Sequence, residues 1–353
     1  MSKAKIIFLL FLISIFNYIS INITENIEVT FKYSKKQKKI GIINLPIGQN
    51  VGNVFVKFAM FKILEEFGLT ASIIIPQLKI PNLKYDLSFL DRTVGTHLII
   101  INDSFKELNE SEFDYLLVNS DQTWSHYSGK YFYDIAVLKF AEKWKAKKFI
   151  YGASMGSDKW YFKKREEEIF KKLLKNFTGI SFREKVTVNL LEKHLHLKSV
   201  FVLDPTLLIN KSCYLKEINN YNFDNFDFDF NSKFIFIYQL DKNQIFEKVI
   251  NRAKEKFNFK INKLNIKKSD YIENFIYSIN NSQCVITDSF HGTLFSIIFN
   301  KPFISFSNSQ RGKARFDSIK ELFNIEERII EPSGYNNINI NLLNKTLNIN
   351  KTL

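Results

Sequence analysis

The feature that most constrains this chain is a unit that recurs along it: a short apolar run, a polar turn, then a helix. Its first copy begins at residues 40–45 (IGIINL), an apolar run closed by Pro46. A polar turn follows through Gly48, Gln49, Asn50, Val51 and Gly52. Val54, Phe58, Phe61 and Leu64 then recur at three- and four-residue spacing and predict a helix over 54–67. Asn53 suits its N-cap and Gly68 its C-terminal stop. Residues 71–75 read as the next strand. Strands this uniformly apolar are buried on both faces, which is the property of parallel sheets covered by helices.

The pattern continues through 98–101, 115–118, 149–153, 179–182 and 200–203 as strands, with a charged helix over 160–176. Residues 210–232 break it with alternating Asn, Asp, Phe and Tyr, and read as an interdomain linker, with a contact loop as the alternative. It resumes with strands at 234–238, 259–264, 284–287 and 303–306, and helices at 244–256, 271–279 and 293–299. The expected fold class is therefore α/β, with two Rossmann-like domains facing across a cleft. The expected boundaries are an extension over 1–37, a first domain over 38–210, a linker over 211–232, a second domain over 233–340 and a tail over 341–353. In open sheets of this kind ligands bind outside the carboxyl ends of the strands.

Composition narrows the function classes. The net charge of +14 rests on 43 Lys against seven Arg. The lysines are spread along the chain, without the clustered Arg-rich and aromatic patches of a nucleic-acid surface, so nucleic-acid binding is not expected. Where Arg does occur in such a chain, a rigid two-pronged fork is the reason to look for. Cys213 and Cys284 are too few for a disulfide scaffold or a four-cysteine zinc site. The histidines offer no metal constellation either, since His194 and His196 have no third ligand nearby and His97 and His126 are isolated. Residues 1–5 are basic and 6–16 are apolar apart from Ser14. That stretch is read as a membrane-associated segment, a signal peptide without a clear cleavage site, or an extension ahead of the domain. If the segment spans, the following lysines place the body on the cytoplasmic side, at the inner face of the membrane.

Four polar stretches stand where strands end. Asn50, Gly52 and Asn53 open a helix, whose free N–H groups attract anions or hydroxyls, or alternatively form an ordinary capped turn. Asp121, Gln122 and Trp124 follow a strand and suit sugar hydroxyls and a stacking face, or alternatively an Asx-turn with a buried Trp. Arg183 ends a strand, next to Glu184; it can fork onto a carboxylate or phosphate, or pair with Glu184 at the surface. His291 lies in ITDSFHGT, between an apolar strand and an apolar helix, where Gly292 permits close backbone approach and Thr293 can cap. A histidine there suits general acid–base work, since histidines as a class titrate near neutrality, or alternatively it satisfies the helix cap. Arg311 and Arg315 follow the next strand.

Taken in order, KKIGIINLPIGQNVGN, LLVNSDQTW, ISFREK, VLDPTLLI, FIYQL, VITDSFHGTLFSIIFNKPFISF and RGKARF resemble the polysaccharide pyruvyl transferase family. The resemblance runs from about Lys39 to about Arg328. It implies a GT-B-like pair of Rossmann-type domains. It also implies transfer of pyruvate from phosphoenolpyruvate, as a ketal, onto a sugar of a cell-surface polysaccharide or its lipid-linked precursor, as in capsule and exopolysaccharide synthesis. The resemblance makes His291 the acid–base residue. It assigns the donor's carboxylate or phosphate to Arg183; their places at strand ends add Arg311, Arg315, Ser289 and Gly292 for the donor and Asn50, Gly52, Asn53, Asp121, Gln122 and Trp124 for the acceptor. Some members have Arg-Leu-His-Gly where this chain has Ser289-Phe290-His291-Gly292, so the charge of that Arg is expected from Arg311 or Arg315. No metal or redox cofactor is expected beyond the co-substrate phosphoenolpyruvate. Two other readings stand beside this one: a GT-B glycosyltransferase using a nucleotide sugar, and a catalytically silent glycan-binding protein.

Overall fold

The computed structural model describes residues 20–23, 29–32, 37–46, 50–76, 83–101, 105–125, 129–223, 228–307, 312–331 and 338–347. Of the extension expected over 1–37, residues 1–19, 24–28 and 33–36 lie outside them, as does Arg311. Among the described residues no helix is long and apolar enough to cross a membrane.

The chain divides into two compact units. The first takes Met1–Ile47, Val56–Ile80 and Leu90–Leu208, and the second takes Gly48–Phe55, Pro81–Phe89 and Ile209–Leu353. Ahead of both main sheets, β1 (Ser20–Ile23) and β2 (Val29–Lys32) form an antiparallel pair.

The first unit is built on β3 (Lys39–Ile43), β4 (Thr70–Pro76), β5 (Leu98–Ile101), β6 (Tyr115–Val118), β7 (Lys147–Ala153), β8 (Phe177–Phe182) and β9 (Val200–Phe201). They lie in the order β5-β4-β3-β6-β7-β8-β9, and every neighbouring pair is parallel. The helices between them are α1 (Val51–Glu66), α2 (Leu83–Val94), α3 (Gly129–Ala136), α4 (Lys164–Leu174) and α5 (Lys185–Leu195), of which the opening residues of α1 up to Phe55 and of α2 up to Phe89 belong to the second unit. The strand direction of growth reverses at β3, so the switch point lies between β3 and β6. Ile43, Leu116, Val118, Ile150 and Phe182 are buried in one core cluster with Leu173 and Leu191 of the helices. Each such side chain contributes about 1.5–3 kcal/mol when fully buried.

The second unit holds α6 (Lys211–Lys216), β10 (Phe234–Tyr238), α7 (Gln244–Phe257), β11 (Lys260–Lys263), α8 (Tyr271–Asn281), β12 (Cys284–Thr287), α9 (Phe290–Ile298), β13 (Phe303–Phe306), α10 (Lys313–Phe323) and β14 (Ile329–Ile330). Its sheet order is β11-β10-β12-β13-β14, again wholly parallel, with the switch point between β10 and β12. Ile235, Ile237, Cys284, Ile286, Ile304 and Phe306 form its core with Phe246 and Val249 of α7. Burial pushes the Cys284 thiol up to about 12, so it packs as a small apolar group. The fold is thus α/β, with two parallel sheets covered by helices.

The structure departs from the sequence expectation at several points. The stretch 211–232 is no bare linker, because α6 lies in it and Tyr214 is fully buried against Phe55 and Phe295. Phe228 and Phe230 likewise pack on Phe234 at the start of β10. Alternating polar residues hid these anchors. The helix expected over 160–176 begins only at Lys164, because Trp160 and Phe162 serve as packing residues: Phe162 meets Trp124, and Trp160 stacks on His194.

Candidate functional site

The second unit places His291 at its switch point. β12 ends at Thr287, Ser289 is the N-cap of α9, and its hydroxyl accepts the N–H of Gly292. His291 therefore belongs to the first turn of α9 and not to the preceding turn. The periodic signal missed that turn because Phe290, His291 and Gly292 are all buried while only one of them is a large apolar residue. Thr293, expected as the cap, instead returns its hydroxyl to the Ser289 carbonyl at 3.0 Å.

The His291 ring, only 3% exposed, lies directly on Gly52. A Cβ at Gly52 would stand 1.9 Å from His291 Nδ1, so no residue with a side chain fits there without displacing the ring. This close approach explains the glycine in Asn-x-Gly. Helix α1 begins at Val51, two residues before the expected cap, because Asn50 does the capping: its Oδ1 accepts the Gly52 N–H at 2.9 Å and its carbonyl accepts the Asn53 N–H at 3.0 Å. Asn53 sits in that first turn and is largely buried. Asn50 Oδ1 also accepts the hydroxyl of Tyr238, at the end of β10, at 3.2 Å. The Tyr238 carbonyl in turn accepts the Thr287 hydroxyl at 2.6 Å. A continuous chain of hydrogen bonds thus runs from α1 through both switch-point strands to the turn that carries His291.

Neighbouring groups hold this turn rather than point away from it. The Asp288 carboxylate accepts the N–H groups of Leu240 and Asp241 at 2.7 and 2.8 Å. Its burial raises the carboxyl above its ordinary range, against the opposing pull of those two donors. Gly292 was expected to allow a ligand close to the backbone. What approaches it is Thr287, whose Oγ1 would lie 2.3 Å from a Cβ at that position. Arg315, on α10, is buried with its guanidinium over the Phe290 ring at 4.9 Å, and its Nε donates to the Gly312 carbonyl at 3.4 Å.

The first unit gathers its polar residues at the same topological place. Asn44 follows β3 and Asn119 follows β6, and the two amides bond across the switch point at 2.8 Å. Asp121, two residues on, accepts the Gln122 N–H at 2.8 Å and bridges to Ala153 at the end of β7. Its φ of 142° lies in a region that residues with side chains rarely adopt. Arg183, just past β8, is buried. Its Nη1 pairs with Asp204 and reaches the Ser120 hydroxyl at 3.2 Å, while Nη2 lies 3.6 Å from Asp121. The surface pair with Glu184 does not form: Glu184 is fully buried and accepts Ser154 Oγ, the Met155 and Gly156 N–H groups and the Thr187 hydroxyl. Asp204 also caps the short 3-10 turn Pro205–Leu207. Together with burial, its charge pushes the Tyr151 phenol well above the usual tyrosine range.

Trp124 is not a stacking face. It is 1% exposed and packs among Phe162, Phe170 and Phe182, with ring centroids 5.2–5.8 Å away. The backbone turn that follows Asp121 drives the ring inward, where its area is worth more than at the surface. Among the described residues no group of three or more His, Cys, Asp or Glu is placed to hold a metal ion. Sequence reasoning overlooked Asp204, Tyr238, Thr287 and Asp288 as parts of these two clusters. Each carried one signal, its position within two residues of the end of an apolar run.

A search of the curated proteins finds no match. Among solved structures the chain is similar to a protein of uncharacterised function from Klebsiella pneumoniae, with 14% identity over 94% of this chain and 99% of that chain and a TM-score of 0.49. It is also similar to UDP-GlcNAc 2-epimerase from Neisseria meningitidis bound to UDP-GlcNAc, with 13% identity over 85% of this chain and 94% of that chain and a TM-score of 0.46. The family model for polysaccharide pyruvyl transferase matches residues 50–310, a span that opens on the Asn50 cap and takes in Asp121, Arg183 and His291. The chain belongs to the polysaccharide pyruvyl transferase family.

Proposed function

We propose that the protein transfers pyruvate from phosphoenolpyruvate, as a ketal, onto a sugar of a cell-surface polysaccharide or its lipid-linked precursor. The observation that carries this reading is the seating of His291 on Gly52, inside a matched family span and at the switch point of its sheet. The imidazolium gives its proton to the methylene carbon of phosphoenolpyruvate, which leaves C2 electron-poor. One sugar hydroxyl bonds to C2 and phosphate departs with the C2–O bond pair. A second hydroxyl then closes the ketal. Of the two hydroxyl protons lost, one restores the imidazolium and the other leaves with phosphate.

The residues around His291 suit that work. The first turns of α1 and α9 carry the positive ends of two helices, which favour an anionic donor. Arg315 adds a fixed positive charge on the Phe290 side of α9. In this scheme Ser289 shapes the helix start, and Gly292 lets that start pack on Thr287. The scheme uses no metal or redox cofactor. We place the reaction in the cytoplasm, at the inner membrane face where lipid-linked precursors are exposed.

Phosphate release from phosphoenolpyruvate, measured across a panel of sugar acceptors, tests the reading. Release that depends on an acceptor supports it. Turnover of a nucleotide sugar without use of phosphoenolpyruvate would replace it with the glycosyltransferase reading. Glycan binding with no turnover of either donor would replace it with the silent one.

A further inference from the structure

Helix α8 follows β11 and passes over β10 to reach β12, so its first turn lies at the carboxyl edge of the second sheet. It opens on Tyr271, which is 1% exposed. Four residues on, the same face of the helix carries Phe275. The Phe275 ring meets Phe236 and Tyr238 of β10, Phe55 of α1 and Phe295 of α9, with ring centroids 5.2–5.6 Å apart. Tyr271 therefore sits one turn nearer the carboxyl edge, on the side of α8 that faces α1 and α9. Side chains of a helix lean toward its N-terminus, which carries the phenol oxygen farther toward that edge. At the same edge Tyr238 donates its hydroxyl to Asn50, and the His291 ring lies on Gly52.

The Tyr271 hydroxyl has no hydrogen-bond partner, alone among the buried tyrosine hydroxyls of the described residues. A buried hydroxyl in that state costs its desolvation with no bond in return. Phenylalanine fills the same space without that cost, and this chain uses it freely, with 36 Phe against 15 Tyr. Tyr238, which packs on the same Phe275 ring, spends its hydroxyl on Asn50. An oxygen kept at Tyr271 with nothing in the chain to bond is accounted for by a ligand.

The class of ligand follows from what converges at this edge. Helices α1, α8 and α9 all bring their positive ends to it. A phenol is neutral at pH 7 and donates one hydrogen bond. A neutral donor among positive helix ends suits an anionic oxygen. Asp270, the residue before Tyr271, falls about 100° around the helix from it, off the face that Phe275 marks.

We infer that the Tyr271 hydroxyl is a donor-binding group of the second unit, giving its hydrogen to a carboxylate or phosphate oxygen of phosphoenolpyruvate held at His291. This rests on the pyruvyl-transfer reading for the identity of the anion. The test is Tyr271→Phe, which removes one oxygen and leaves the ring. Calorimetry with phosphoenolpyruvate measures affinity, turnover with an accepted sugar measures the two KM values, and urea unfolding measures stability.

The expected result is a dissociation constant for phosphoenolpyruvate that rises about 10- to 100-fold, together with its KM, while the acceptor KM stays within about threefold. The urea midpoint is not lowered, because the lost oxygen bonded nothing in the chain. Unchanged phosphoenolpyruvate affinity in the variant overturns the inference. A rise confined to the acceptor KM also overturns it, as does a lowered urea midpoint, which would give the hydroxyl a structural partner instead. A wild type that binds no phosphoenolpyruvate overturns the pyruvyl-transfer reading and this inference together. A wild type and variant that bind it equally well remove the role of Tyr271 alone.

Discussion

The two units share a plan and differ in what they place at the same point of it. Each has a parallel sheet whose strand order reverses once, and each collects polar residues where the reversal opens its carboxyl edge. In the first unit that edge is filled by matched charges and amides: Asn44 with Asn119, Arg183 with Asp204 and Asp121, Glu184 with its ring of donors. In the second it is filled by a histidine packed against a glycine, reached through Asn50, Tyr238 and Thr287. Topology alone therefore says where a ligand group can sit. The local residues decide whether that place carries a fixed ion cluster or a buried histidine seated on a glycine.

Perturbing the second unit's histidine seat carries the largest expected effect. Gly52→Ala puts a methyl group 1.9 Å from His291 Nδ1, so the ring must move. A displacement of that size is expected to lower phosphate release by about 100-fold or more. If Gly52 acts through His291 alone, adding Gly52→Ala to His291→Ala costs nothing further, and rates that multiply instead would show an independent role for the glycine.

The first unit should respond in stability rather than in proton transfer. Asp204→Ala leaves the Arg183 guanidinium buried without its closest carboxylate, and urea unfolding is expected to show a loss of about 3–5 kcal/mol. Replacing Arg183 by Gln and Asp204 by Asn together should recover most of that loss. A smaller loss in the single variant than in the pair would break the contrast between the two edges.

Two substitutions in the second unit sharpen it further. Gly292→Ala drives a Cβ to 2.3 Å from Thr287 Oγ1, and the overpacking should cost about 1–3 kcal/mol in the same unfolding assay. Ser289→Ala removes the N-cap of α9 and should cost about 1 kcal/mol.

The buried strands were legible because apolar runs such as 40–43 and 234–238 have few ways to be satisfied other than a covered sheet. The positions of Asn50, Asp121, Arg183 and His291 near strand ends were legible for the same reason. Their partners were not. Arg183 and Asp204 are 21 residues apart and Gly52 and His291 are still farther, so no local pattern announces either contact. Spacing also misjudged Trp124, because nothing in a polar turn says that the next ring folds inward. Helix starts were placed three residues late at both α1 and α9, because each first turn is built from capping and close-packed residues rather than from the apolar stripe that periodicity detects.

The central claim is that His291 supplies the proton that activates phosphoenolpyruvate. Phosphate release in the presence of an accepted sugar, compared between wild type and a His291→Ala variant of unchanged circular dichroism, tests it most directly. The account predicts a fall of about 100- to 10,000-fold. Release at the wild-type rate from the folded variant would contradict it.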